Sequence, residues 1–183
     1  GETALCTVGQ EEGLAYRGHK IETLAEKGTF EEVAYLLLYG KLPNISELAE
    51  YKTVLKSQRD LPDSLKKVLR EIPGTAHPMA VMATGCSMLG NLEPEDSIEN
   101  QMHSINRMVA SLPSIAAYWH KYTLDTEHMS LVNDEDTMSV HSWTILLGKR
   151  PSMLPVRDRE GKLSLTADVH LHAYPFTAAA VRL

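Results

Sequence analysis

His170 and His172 form the pattern in this chain most open to chemistry. They are two imidazoles, two positions apart, within the alternating run LSLTADVHLHAYPF. In an extended strand that spacing puts both side chains on one face, a geometry suited to a pair of metal ligands. No third ligand lies near them in sequence, so no metal is expected. His77 precedes Pro78 at the start of an apolar segment, where an imidazole either caps a helix or reaches into a site. Capping is the reading favoured. Cys6 and Cys86 stand 80 positions apart without CxxC spacing. Two buried thiols in a reducing compartment are expected, not a disulfide or a metal site. No Ser-His-Asp set, glycine-rich phosphate loop or zinc spacing stands out.

The 183 residues, 43% hydrophobic and 23% charged, have the composition of a globular protein and suffice for one substantial core. A net charge of −6 argues against a nucleic-acid or anionic-membrane partner, since both favour a basic surface. No apolar run approaches the roughly 20 residues that a membrane span needs. Nothing at the N-terminus resembles a signal or transit peptide. The chain begins at Gly1 and not Met, which leaves room for a missing start and a targeting segment with it.

The elements that must position these groups read mainly as helices. Ala4–Gly9 and Leu14–Gly18 are expected to form a short β-hairpin. Thr29 and Glu32 make a capping box for a helix whose stripe is Phe30, Val33, Ala34, Leu37 and Leu38, stopped by Gly40 and Pro43. Asn44 and Glu47 repeat that grammar for a helix carrying Ile45, Leu48, Tyr51 and Leu55. Asp63 is expected to cap a third helix facing inward through Leu65, Val68, Leu69 and Ile72. Pro78 suits the first turn of a fourth, MAVMATGCSMLG, whose apolar residues ring it and predict a buried central helix. A long helix from Asp96 carries Met102, Ile105, Val109 and Leu112, is kinked or split by Pro113, and continues to about Tyr122. Residues 125–136 read as a polar loop and Thr137–Leu147 as a last helix. The fold class is all-α with a short N-terminal β-hairpin. Residues 1–147 are expected to form one unit, with 148–183 a divergent tail.

The segments ALCTVG, YRGHKIETLAEKGTFEEVAYLLLYGKLPNISEL and AHPMAVMATGCSMLG, in this order and spacing, resemble the citrate synthase family. The branch they most resemble is the 2-methylcitrate synthases. The likeness is dense from about Ala4 to Leu112 and looser through SIAAYWHKY. It implies the N-terminal part of a helical large domain in a homodimer that condenses acetyl-CoA or propionyl-CoA with oxaloacetate. No resident cofactor is implied, because the acyl-CoA is a substrate. In such enzymes a carboxylate takes a proton from the carbon beside the thioester, while histidines polarise the thioester and ketone carbonyls. A weak carbon acid needs both a base and preorganised donors in a dry site.

The resemblance places the reacting residues beyond a segment of the form A-[DE]-H-E-x-N-A-S, starting with a P-x-H-G-G-A-N motif that this chain does not contain. Ala167–Ala178 falls onto the former segment without gaps. Val169 then stands where the family has its substrate histidine, and a valine cannot donate a hydrogen bond. His170, displaced by one position, is the candidate substrate-binding residue, and no catalytic residue is assigned. The resemblance would also allow Arg17 and Lys20 to meet coenzyme A phosphates, although exposed charge after a hairpin is the simpler reading. Trp119, Tyr118 and Tyr122 read as helix packing, with a subunit interface as a further use. The expectation is an acyltransferase lineage whose present chain is inactive alone. The alternative is a non-catalytic helical dimerisation module or truncated pseudoenzyme. The expected location is cytoplasmic, or the mitochondrial matrix in a eukaryote.

Overall fold

A computed structural model describes residues 3–9, 13–95, 97–124, 130–135 and 137–148, together with 156–157 and 163–164. The chain opens in a three-stranded antiparallel sheet, β1 (Cys6–Gly9), β2 (Gly13–Tyr16) and β3 (His19–Lys20), in the order β1-β2-β3. The expected hairpin is therefore extended by a third strand. Arg17 (φ 48°) and Gly18 (φ 85°) make its two-residue turn, and positive φ at both positions matches the twist of the paired strands. α1 (Ile21–Lys27), which the sequence pattern did not announce, follows directly.

Six more helices follow among the described residues: α2 (Phe30–Tyr39), α3 (Ile45–Ser57), α4 (Asp63–Glu71), α5 (Pro78–Leu92), α6 (Ile98–Thr123) and α7 (Met138–Leu147). The capping boxes of Thr29 with Glu32 and of Asn44 with Glu47 both form, and Gly40 closes α2 in the left-handed region. Each box satisfies two orphan amides at a helix start. Asp63 departs from expectation: it is the first helical residue, after Pro62, and makes no side-chain cap. Its carboxylate meets Lys66 instead, at 3.6 Å. α6 runs unbroken through Pro113, which removes one rung of the hydrogen-bond ladder without dividing the helix. Beyond Gly148 only a two-residue pairing, β4 (Val156–Arg157) with β5 (Leu163–Ser164), is described. Most of the run expected as a strand lies outside the described residues.

α6 is the spine, packed by α3, α4, α5 and α7. On one side Leu61, Leu65, Leu69, Val81, Leu89, Ile115, Trp119 and Leu131 form the larger core. On the other, Tyr51, Leu55, Ala110 and Met138 form a smaller one. Three predicted faces need correction. α2 buries Glu31 and Leu36, and leaves Phe30 50% exposed. α6 buries Asn106, Ala110, Ser111, Ser114 and Ile115, while Ile105 stays partly exposed. The predicted stripes counted apolar residues, whereas the faces are set by what the neighbouring helices bring to them. α5 is not buried all round: Val81, Gly85 and Leu89 face inward, but Met79 is 60% exposed.

Gly85 shows how closely α5 and α6 approach. A Cβ there would lie 2.7 Å from Ile115 Cγ2 and 2.9 Å from its Cδ1. Overpacking costs roughly 1–3 kcal/mol, against a gain of about 1 kcal/mol in helix propensity for alanine. Gly85→Ala is thus expected to lower urea stability by about 1 kcal/mol in net terms. In an Ile115→Ala background the same change should become stabilising; an unchanged loss there would rule out the steric cause.

Candidate functional site

His170 and His172 lie outside the described residues. His77 caps α5, its Nδ1 accepting from Met79 N at 3.1 Å, as the capping reading expected. Arg17 is more than exposed charge: its guanidinium donates to Leu37 O at 3.0 Å, satisfying a carbonyl in the last turn of α2. Lys20 is exposed at the start of α1. Trp119 is buried and donates from Nε1 to Ile72 O at 3.3 Å. Arg70 donates to Tyr118 Oη at 2.7 Å and lies over the rings of Tyr118 and Tyr122. Cys6 and Cys86 are free thiols, and both are half-buried and not enclosed as expected. Among the described residues no three His, Cys, Asp or Glu side chains gather to hold a metal ion. No described helix is long and apolar enough to cross a membrane.

The chemistry that the structure does concentrate is at the start of α7, and the sequence reading missed it. Glu31, Arg59 and His141 are all fully buried there. Glu31 Oε1 accepts from Met138 N at 2.6 Å, so a carboxylate from α2 satisfies an orphan amide at the start of α7. Thr137 caps the same end from within, accepting from Val140 N. Arg59 Nη1 donates to Glu135 O at 2.7 Å, and Glu135 N donates to Asn133 Oδ1 at 3.2 Å. That same oxygen lies 3.1 Å from His141 Nδ1. Burial and the Arg59 cation together push the His141 pKa down to about 4, so the imidazole is neutral near pH 7. On α3, Tyr51 is pushed up to about 12, chiefly by burial, with Tyr39 and Glu31 adding to the effect. The cluster orients elements and holds a neutral imidazole. It presents no nucleophile–base pair.

Two surfaces lie apart from this cluster. An apolar cavity of about 360 Å³ lies between α5, α6 and α7, lined by Met82, Leu112, Pro113, Ala116, Trp143 and Leu146 among others. On α5, Ala80, Ala83, Thr84, Ser87 and Asn91 form an exposed stripe of small side chains.

The described segment superimposes on solved citrate synthases. That of Thermotoga maritima matches over 82% of this chain and 40% of its own, with a TM-score of 0.67 and 30% identity. That of Thermoplasma acidophilum, solved in a ternary complex with carboxymethyl coenzyme A and oxaloacetate, matches over 83% of this chain and 41% of its own. Its TM-score is 0.75 and its identity 20%, which speaks for the fold alone. A family profile described as citrate synthase, C-terminal domain, matches residues 1–181. The chain belongs to the citrate synthase family. It is 49% identical to the 2-methylcitrate synthase of Shewanella oneidensis over 179 residues, 97% of this chain and 48% of that enzyme. The chain therefore spans about half the length of the relative it matches so fully. Among the described residues this chain supplies a scaffold: capped helices, the α5–α6 contact and the buried polar cluster.

Glu31 offers a direct test of that cluster. Charge-assisted hydrogen bonds contribute about 1.5–3 kcal/mol, so Glu31→Ala should lower chemical-denaturation stability by about 2 kcal/mol. Glu31→Gln keeps an acceptor oxygen for Met138 N and should lose clearly less. Equal losses in the two variants would show that the acceptor is not what matters.

Proposed function

We propose that this chain serves a citrate-synthase-type acyltransferase of the 2-methylcitrate branch, condensing propionyl-CoA with oxaloacetate. The observation that carries this reading is the 49% identity to a 2-methylcitrate synthase across 97% of the chain. The 183 residues supply helical scaffold, and His170 is the one candidate for contact with substrate. The P-x-H-G-G-A-N motif is not in the sequence, so the reacting residues must come from elsewhere in an active assembly. No resident cofactor is needed, because the acyl-CoA brings its own thioester. The same lineage supports a cytoplasmic location, or the mitochondrial matrix in a eukaryote.

A thiol-release assay with oxaloacetate and either propionyl-CoA or acetyl-CoA tests this reading. The chain alone should give no steady turnover, since a carbon acid cannot be ionised without a placed base and donors. Coexpression with the second half of the Shewanella enzyme should restore thiol release with propionyl-CoA. Turnover by the chain alone would overturn the first expectation. A folded but silent hybrid would overturn the assignment.

The dimerisation reading draws on the α5 surface. Its small side chains would let a second helix approach closely, and the stripe is uncovered in a helix that is otherwise apolar. A two-fold pairing of α5 against its own copy is self-complementary, as such dimers require. Light scattering should find a dimer that Ala83→Glu dissociates; a monodisperse wild-type monomer would rule out this pairing.

A further inference from the structure

His141 is held in one tautomer by its neighbours. Asn133 Oδ1 accepts from Glu135 N, which fixes that atom as the oxygen of the amide. His141 Nδ1, 3.1 Å from the same oxygen, must therefore carry the hydrogen. Its Nε2 is then a bare lone pair, buried, with no hydrogen-bond partner among the described residues. Any further proton has to go to that nitrogen. It would enter an enclosed site that offers it no acceptor among the described residues, in the field of the Arg59 cation.

We propose that His141 makes α7 an acid-released latch: protonation of its imidazole undocks α7 from α2 and α6 while the core of α4, α5 and α6 stays folded. The division follows from the packing. α7 contributes Met138 to the smaller core and nothing to the larger one, whose helical members come from α4, α5 and α6. Among the described residues, the other charged or titratable groups around α7 are Glu31 from α2, Tyr51 from α3 and Arg59 from the segment after α3. The loop before α7 adds Asp134 and Glu135, and Asp134 is paired with Lys56 at 3.3 Å. From α6, Lys121 lies at the far end, beside Gly148.

The sign follows from linkage. Undocked, the imidazole titrates near an ordinary histidine value of about 6.5. Docked, it is held down to about 4. Between those values only the undocked form takes up the proton, so acidification favours release. One proton taken up on opening shifts that equilibrium by up to tenfold per pH unit.

Amide hydrogen exchange on the intact chain from pH 7 to 4.5 reads this directly. After correction for intrinsic exchange, the amides of Ile145 and Leu146 should lose protection by up to tenfold per pH unit, while that of Leu69 in α4 holds. His141→Asn, whose amide nitrogen can replace Nδ1–H as donor but does not titrate, should remove the slope. Glu31→Gln should keep it, since the carboxylate is not its source. A wild-type slope in His141→Asn, a lost slope in Glu31→Gln, or an equal loss in α4 would each overturn the latch. If His141→Asn leaves α7 open already at pH 7, the wild-type imidazole still decides. Its ¹⁵N shifts should show Nδ1 protonated and Nε2 bare at pH 7, with protonation well below the ordinary histidine value of about 6.5. The opposite tautomer, or an ordinary titration, would refute the proposal.

Discussion

The buried carboxylate of Glu31 is the constraint around which the smaller half of the fold is arranged. A charged group without water must find fixed donors, and Met138 N provides one at 2.6 Å from 107 positions away. That demand turns α2 so that Glu31 points inward and Phe30 outward. It also fixes where α7 begins, because the amide it satisfies is in the first turn. Tyr35, Tyr39 and Tyr51 pack against each other on the same side, with ring centroids 4.3 to 5.9 Å apart. Tyr39 also accepts from Asn106 Nδ2 at 3.1 Å, carrying the polar contact on to α6.

Arg107 plays a corresponding part at the opposite end. It pairs with Glu93 at 3.0 Å and donates to the backbone carbonyls of Gln58 and Asp60. One guanidinium thus joins the end of α5, the middle of α6 and the connection between α3 and α4. A planar fork of five donors suits such a junction better than an ammonium does. Both junctions belong to a scaffold whose chemistry is positional, in keeping with a chain that covers about half of a 2-methylcitrate synthase.

Much of this was legible in the sequence where the physics is local. Thr29 and Glu32, Asn44 and Glu47, and His77 with Pro78 announce helix starts because their partners lie within four residues. The family could be read from the same words. What could not be read is which face each helix buries. Leu36 and Glu31 lie off the apolar stripe of α2, and Glu31 meets its partner only where α7 arrives. Likewise Asn106, Ser111 and Ser114 turn inward on α6 although Ile105 is more apolar, because small or bonded side chains fit a close crossing. His141 gave no signal beyond its place in an apolar helix. A buried histidine could have been suspected there, but its partners at positions 59 and 133 could not. The candidate contact at His170 rests on family register alone.

The turn between β2 and β3 has a consequence for the sheet as a whole. Arg17 sits at that turn and reaches Leu37 O at the end of α2. Sliding β2 by one residue would turn every side chain over and carry the guanidinium away from its carbonyl. A helix end twenty positions downstream therefore acts as the gauge for a hairpin that, at four residues a strand, is too short to hold its own alignment firmly.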